Sequence, residues 1–184
     1  MPKYIAFLRA INVGGHIVKM NHLRLLFEDL GFANVETFIA SGNVIFESKS
    51  RNTEALERRI EARLRAALGY EVATFIRTDH EVERIAGYQP FPAEMLAQAV
   101  ALNIAFLKAP IGDDGKQTLH ELKTAVDEFH SYGREVYWLC RAKQSDSKFS
   151  NALFERAMKS KATFRGANTI IKLAAKYPAK NKPT

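Results

Sequence analysis

Only one cysteine, Cys140, occurs among the 184 residues. It can close no internal disulfide, which excludes a disulfide-stapled secreted scaffold and fits a reducing, cytoplasmic compartment. Long hydrophobic runs are missing as well. The nearest candidate, residues 100–107, is short and contains Asn103, well below the roughly 18 apolar residues a membrane helix needs. The chain is therefore expected to have no membrane partner. The first apolar run, residues 4–13, has Arg9 at its middle and no small-residue cleavage pattern behind it, so it reads as a strand and not as a signal peptide. With 47% hydrophobic and 26% charged residues the composition is that of an ordinary globular protein, one compact domain or two small halves.

The usual chemical signatures are absent too. The five histidines (His16, His22, His80, His120, His130) include no pair at helical ligand spacing, and no cysteine pair stands near them, so no metal site is expected. There is no G-x-S-x-G, no G-x-x-x-x-G-K-S/T and no G-x-G-x-x-G, which removes the common nucleophile and nucleotide fingerprints, and no cofactor is implied. Cys140 lies in an apolar strand beside Trp138 and reads as a buried, inert thiol.

Acidic residues are scarce at one end. Residues 1–98 hold 12 Lys and Arg against 12 Asp and Glu, whereas residues 99–184 hold 15 against 8, so the whole excess of +7 falls in the second part. From Arg141 onward eleven bases face two acids. Such a one-signed field attracts phosphate, nucleic acid or an acidic partner, although basic helix faces and a basic tail also serve solubility.

Periodicity divides the chain into a pattern that occurs twice. Residues 4–13 are apolar on both parities, which predicts a strand covered on both faces. A helix is expected over 20–30, where Met20, Leu23, Leu26, Phe27 and Leu30 form one stripe stopped by Gly31. Residues 35–40 and 44–47 read as a hairpin around Ser41-Gly42-Asn43. A second helix over 53–68 buries Leu56, Ile60 and Leu64, and a strand over 72–77 completes β-α-β-β-α-β. Thr78-Asp79-His80-Glu81 is a capping box opening a connecting helix. The order is expected to return as a strand over 100–107, a helix over 116–126, strands over 127–131 and 134–140, a helix over 149–158 and an extended piece over 162–165, with little residue identity between the halves. Asn168 is expected to cap a terminal helix over 169–177. The predicted architecture is α+β, two tandem ferredoxin-like (βαββαβ) halves over 1–78 and 99–177, a connecting helix and Pro-containing linker over 79–98, a C-terminal helix, and a basic flexible tail over 178–184.

Three segments stand out as candidate ligand-binding elements. Arg9-x-x-Asn12-Val13-Gly14-Gly15 ends the first strand and is followed by Lys19 at the start of the helix. Two glycines let the backbone approach a ligand, free amides at a helix start attract anions, and Arg9 and Lys19 add full charges. The alternative is that Gly14-Gly15 merely turns the chain while Asn12 bonds local backbone. Ser41 and Asn43 flank Gly42 in the hairpin turn and are candidates beside the plain turn reading. The third segment is Arg165-Gly166-Ala167-Asn168-Thr169, with Lys172 beyond it.

These segments also carry a resemblance. Phe7-Leu8-Arg9-Ala10-Ile11-Asn12-Val13-Gly14-Gly15, Met20-x-x-Leu23, Leu30-Gly31-Phe32-x-Asn34-Val35, Ser41-Gly42-Asn43-Val44-x-Phe46 and Thr163-x-Arg165-x-x-Asn168-Thr169 resemble a bacterial family catalogued as domain of unknown function 1697. The resemblance implies tandem ferredoxin-like halves and brings no activity, substrate or catalytic residue. Ala10 stands where that family often has Gly, and Gly166-Ala167 where it often has Asn-Trp.

The sequence leaves three functions open. The first is a non-catalytic module that binds phosphate, a nucleotide or nucleic acid through the 9–15 loop and the basic second half. Phe7 and Phe46 are candidate base-stacking residues for it, although the doubly apolar first strand argues that the sheet face is covered. The second is an enzyme acting on a small phosphorylated or carboxylated substrate in a cleft between the halves, with Asn12, Ser41 and Asn43 orienting the substrate and His16 the nearest base. The third is a protein-interaction module using an exposed strand edge.

Overall fold

The computed structural model describes residues 1–39 and 42–179. Alternation and helical period account for most of the first half. β1 (Lys3–Leu8) is followed by α1 (Met20–Glu28), β2 (Ala33–Phe38), β3 (Asn43–Glu47), α2 (Thr53–Leu68) and β4 (Thr74–Thr78). The strands form an antiparallel sheet in the order β2-β3-β1-β4. Leu23 and Phe27 of α1 and Leu56, Ile60 and Leu64 of α2 pack with Tyr4, Ala6 and Leu8 of β1 in one buried core. Ile5 and Phe7, of the opposite parity, are buried as well, so β1 is covered on both faces as its composition predicts. α2 is fixed at both ends, by Asn52 accepting from the Ala55 N–H and by Gly69 in the left-handed conformation.

α3 (Asp79–Gly87) and the short α4 (Ala93–Ala97), which the sequence reading did not anticipate, lead to β5 (Ala101–Phe106), α5 (Gly112–Glu121), β6 (Asp127–Tyr132), β7 (Glu135–Cys140), α6 (Asn151–Met158), β8 (Thr163–Gly166) and α7 (Ala167–Lys176). The second sheet is antiparallel in the order β6-β7-β5-β8. Its core gathers Ala105, Leu107, Leu119, Val136, Trp138 and Phe154. At the start of β6 the buried Asp127 ties three segments together: it accepts from Trp138 Nε1 at 2.8 Å, from Thr124 Oγ1 at 2.8 Å and from Ser147 Oγ at 2.9 Å. Burial alone would raise this carboxyl, but those hydrogen bonds together outweigh it and hold the group below its usual range. Cys140 is buried with its thiol pushed up by burial.

The structure is thus an α+β chain of two four-stranded antiparallel sheets with seven α-helices among the described residues. It forms two compact units, Met1–Ile85 with the chain from Lys172 onward, and Ala86–Ile171. α3 therefore lies largely with the first unit, where the sequence reading assigned 79–98 to a connector. The end of α7 also joins the first unit: Tyr177 Oη donates to Glu36 Oε2 at 2.7 Å, and Lys176 Nζ lies 5.5 Å from the Phe38 ring centroid. The tail expected over 178–184 falls outside the described residues from 180 onward.

Four expectations need correction. β1 stops at Leu8 rather than running to 13, because Ala10 turns the chain with φ of 53°. α5 begins at Gly112 and ends at Glu121, not over 116–126. Asp113 and Asp114 occupy its first turn, where they favour a helix start that the Gly/Asp composition had suggested was a loop. Asn168 does not cap α7, since strand β8 runs directly into a helix beginning at Ala167. Finally, the halves share more than a pattern. Ile5 faces Arg77 across the β1–β4 ladder and Ile104 faces Arg165 across β5–β8. That register sets Ile5-Ala6-Phe7-Leu8-Arg9-Ala10 against Ile104-Ala105-Phe106-Leu107-Lys108-Ala109, identical at all but the Arg/Lys position. Matching bonds follow. Leu8 N–H donates to Gly42 O and Leu107 N–H to Arg134 O, while Glu61 accepts from the Thr74 N–H and Glu155 from the Ala162 N–H. Arg77 and Arg165 are both buried, each with its guanidinium donating at 2.8 Å to the carbonyl of the preceding residue.

Candidate functional site

The 9–19 segment leaves β1 and enters α1, and its base is pinned on several sides. Val18 N–H donates to Asn12 Oδ1 at 2.8 Å, Tyr70 Oη donates to Ile11 O at 2.8 Å, and the His16 ring stacks on Tyr70 with centroids 4.0 Å apart. Arg9 is half-buried and anchors its backbone N–H on Ala73 O at 2.9 Å. Above this base Gly14 and Gly15 are exposed at φ of 66° and 85°, with nothing within 4 Å of where a side chain would begin. Neither amide donates a hydrogen bond among the described residues, whereas the adjacent His16 N–H donates to Val13 O at 3.3 Å. α1 then starts at Met20 without a side-chain cap and without an acidic residue in its first turn, and the exposed Lys19 holds the N-cap position. Two amides without a partner among the described residues, an uncapped helix start and a cation thus lie within residues 14–20, an arrangement suited to a small anion.

Gly42 brings the hairpin turn against this loop. At φ of 78° a Cβ on Gly42 would meet Ile11 Cγ2 at 2.8 Å and Leu8 Cβ at 3.2 Å, so only glycine fits. The other turn candidates divide. Ser41 lies outside the described residues. Asn43 is fully buried, and its side-chain amide donates to Phe38 O at 2.9 Å, which closes the hairpin from inside. Ile39, a β-branched residue with φ of 58°, follows the last residue of β2 and is half exposed. Sequence reading missed Tyr70 and Ile39; no local motif marks either, since Tyr70 arrives from the far end of α2.

The third candidate segment lies elsewhere. Arg165 is buried in β8, where Nη1 donates to Thr163 Oγ1 at 2.8 Å, and burial pulls the guanidinium down to about 10. It remains charged at neutral pH. Asn168 is exposed in the first turn of α7, and Lys172 is exposed on the same helix. Phe7 and Phe46 have no exposed surface, which removes them as base-stacking residues and corrects that expectation. Asn12 spends its side-chain carbonyl on the loop's own closure. Among the described residues no three His, Cys, Asp or Glu side chains come together as a metal site. No described helix is long and apolar enough to cross a membrane.

Two four-stranded antiparallel sheets of matching strand order, with seven α-helices among the described residues, place the chain in the α+β class. The chain belongs to the family described as Protein of unknown function (DUF1697), whose model matches residues 1–137. That match covers the 9–19 loop and ends before the 163–169 segment. The conserved bacterial protein SP0830 from Streptococcus pneumoniae is a solved structure with the same fold: TM-score 0.74, 23% sequence identity, covering 97% of this chain and 99% of that one. No curated protein matches the chain.

Proposed function

We propose that the chain is a non-catalytic module that binds a small phosphate-bearing anion at the 9–19 loop. The observation that carries this reading is the pair of exposed Gly14 and Gly15 amides without a hydrogen-bond partner among the described residues, next to Lys19 and the uncapped start of α1. Arg9 adds a second cation at the loop's base. The rigid closure by Asn12 and Tyr70 supports the reading further, since a preordered loop loses little entropy on binding. Each half takes β-α-β-β-α-β with its first and third strands at the sheet centre, an order that supports two ferredoxin-like folds in tandem. The single buried thiol supports a cytoplasmic setting.

The test is calorimetric titration with inorganic phosphate and with a nucleotide. Lys19→Ala and Arg9→Ala are expected to weaken binding by about tenfold each, and in Lys19→Ala thermal unfolding stays nearly unchanged. Unaltered binding in both variants would refute the site. Nucleic acid is a second form of the same reading. It is favoured by Lys143, Lys148, Arg156 and Lys159, all exposed in one stretch of the second unit without an ion pair among the described residues. It predicts affinity for random single-stranded RNA that falls steeply with salt.

A further inference from the structure

The two halves differ at one place where their repeat should make them alike. In an antiparallel ladder alternate N–H groups point into the partner strand and away from it. On β4 the amides of Thr74, Ile76 and Thr78 point away from β1, and each is closed by a carboxylate: Glu61 Oε1 at 2.9 Å, Glu57 Oε1 at 2.9 Å and Glu81 Oε2 at 2.8 Å. That edge is sealed. The matching amides beside β5 are those of Ala162, Phe164 and Gly166. Ala162 is closed by Glu155 Oε1 at 2.9 Å, the counterpart of Glu61. One helical turn before Glu155, where α2 has Glu57, α6 has Asn151, and three residues after Gly166, where β4 is followed by Glu81, stands Thr169. Phe164 and Gly166 are half-exposed, and their outward N–H groups donate no hydrogen bond among the described residues. Open edge amides are a template for another extended chain.

From this contrast we infer that the β8 edge receives an extended acidic peptide segment of a partner protein by strand addition. The site is distinct from the 9–19 loop. Charge sets the occupant. Within the second unit, from Arg156 to Ile171, there are four Lys and Arg and no Asp or Glu. Lys159 and Lys161 lie exposed immediately before the strand. A peptide pairing with the Phe164 and Gly166 amides places its alternate side chains along this basic stretch, where carboxylates are favoured and lysines opposed.

The test uses the full chain and a short acetylated peptide of alternating glutamate and valine, with the lysine–valine peptide as control. Amide NMR is expected to show the largest shifts at 162–166 with the acidic peptide and none with the basic one. In the free protein the Phe164 and Gly166 amides should exchange with solvent much faster than those of Ile76 and Thr78. The double variant Asn151→Glu and Thr169→Glu rebuilds the seal found on β4 and should weaken binding at least about tenfold. Arg156→Glu with Lys159→Glu, which alters only exposed side chains, should weaken it similarly and decides the matter if the sealed variant does not fold. Equal binding by either folded variant, shifts centred on another segment, or displacement of the acidic peptide by self-association or by RNA without effect at Phe164 and Gly166 would overturn the inference.

Discussion

Gly42→Ala is the perturbation whose outcome follows most directly from geometry. The substituted residue keeps φ near 78°, which costs an L-residue about 1–2 kcal/mol. Its Cβ also arrives 2.8 Å from Ile11 Cγ2 and 3.2 Å from Leu8 Cβ, both on buried residues that have little room to retreat. Overpacking of that kind adds about 1–3 kcal/mol. The expected loss is therefore roughly 2–5 kcal/mol, to be read from urea unfolding monitored by circular dichroism. Gly15→Ala is the internal control. Its φ is 85° but nothing lies within 4 Å of the new atom, so only the conformational cost of about 1–2 kcal/mol applies. Losses of equal size in the two variants, or a loss below about 1 kcal/mol for Gly42→Ala, would refute the packing argument and with it the claim that Gly42 locks the hairpin turn onto the loop.

Other perturbations give independent checks. Asp127→Asn should cost about 1–3 kcal/mol, because three donors lose their carboxylate. The wild-type carboxyl sits below its unfolded value near 3.9, so its contribution is complete above that pH and is lost as pH falls through the lower folded value. Acid titration of stability should therefore flatten in the variant; an unchanged acid limb would contradict the Asp127 network. Glu57→Ala should cost about 1–3 kcal/mol by orphaning the buried Ile76 amide, and full stability would show that amide to be otherwise satisfied. Cys140 should resist a thiol reagent in the native protein and react fully in denaturant; fast native labelling would show that the strand opens.

Much of this fold is visible as pattern. α2 occupies Thr53–Leu68 as its apolar period predicts, and the capping box forms, with Thr78 Oγ1 accepting from the Glu81 N–H and Glu81 Oε2 accepting from the Thr78 N–H. What escaped the sequence is either non-local or conformationally atypical. An alanine at φ of 53° gives no warning that β1 ends early. The repeat of Ile5–Arg9 in Ile104–Lys108 stands in the sequence itself, and what the ladder register adds is that the two segments occupy equivalent strands. Asn43 looked like a turn residue open to a ligand, and its burial follows from its place opposite Phe7 in the sheet, which composition cannot reveal. The glycines of the loop were legible as turn chemistry. That their amides lack partners among the described residues is a matter of tertiary structure that no sequence pattern reveals.

The central claim, that the diglycine loop offers its amides to an anion, is tested most directly by a two-dimensional amide NMR titration with inorganic phosphate. The account predicts saturable shifts of the Gly14 and Gly15 amides, with smaller ones at Lys19 and Met20, all lost in Lys19→Ala. Shifts spread evenly over exposed lysines elsewhere, with Gly14 and Gly15 unmoved, would contradict it.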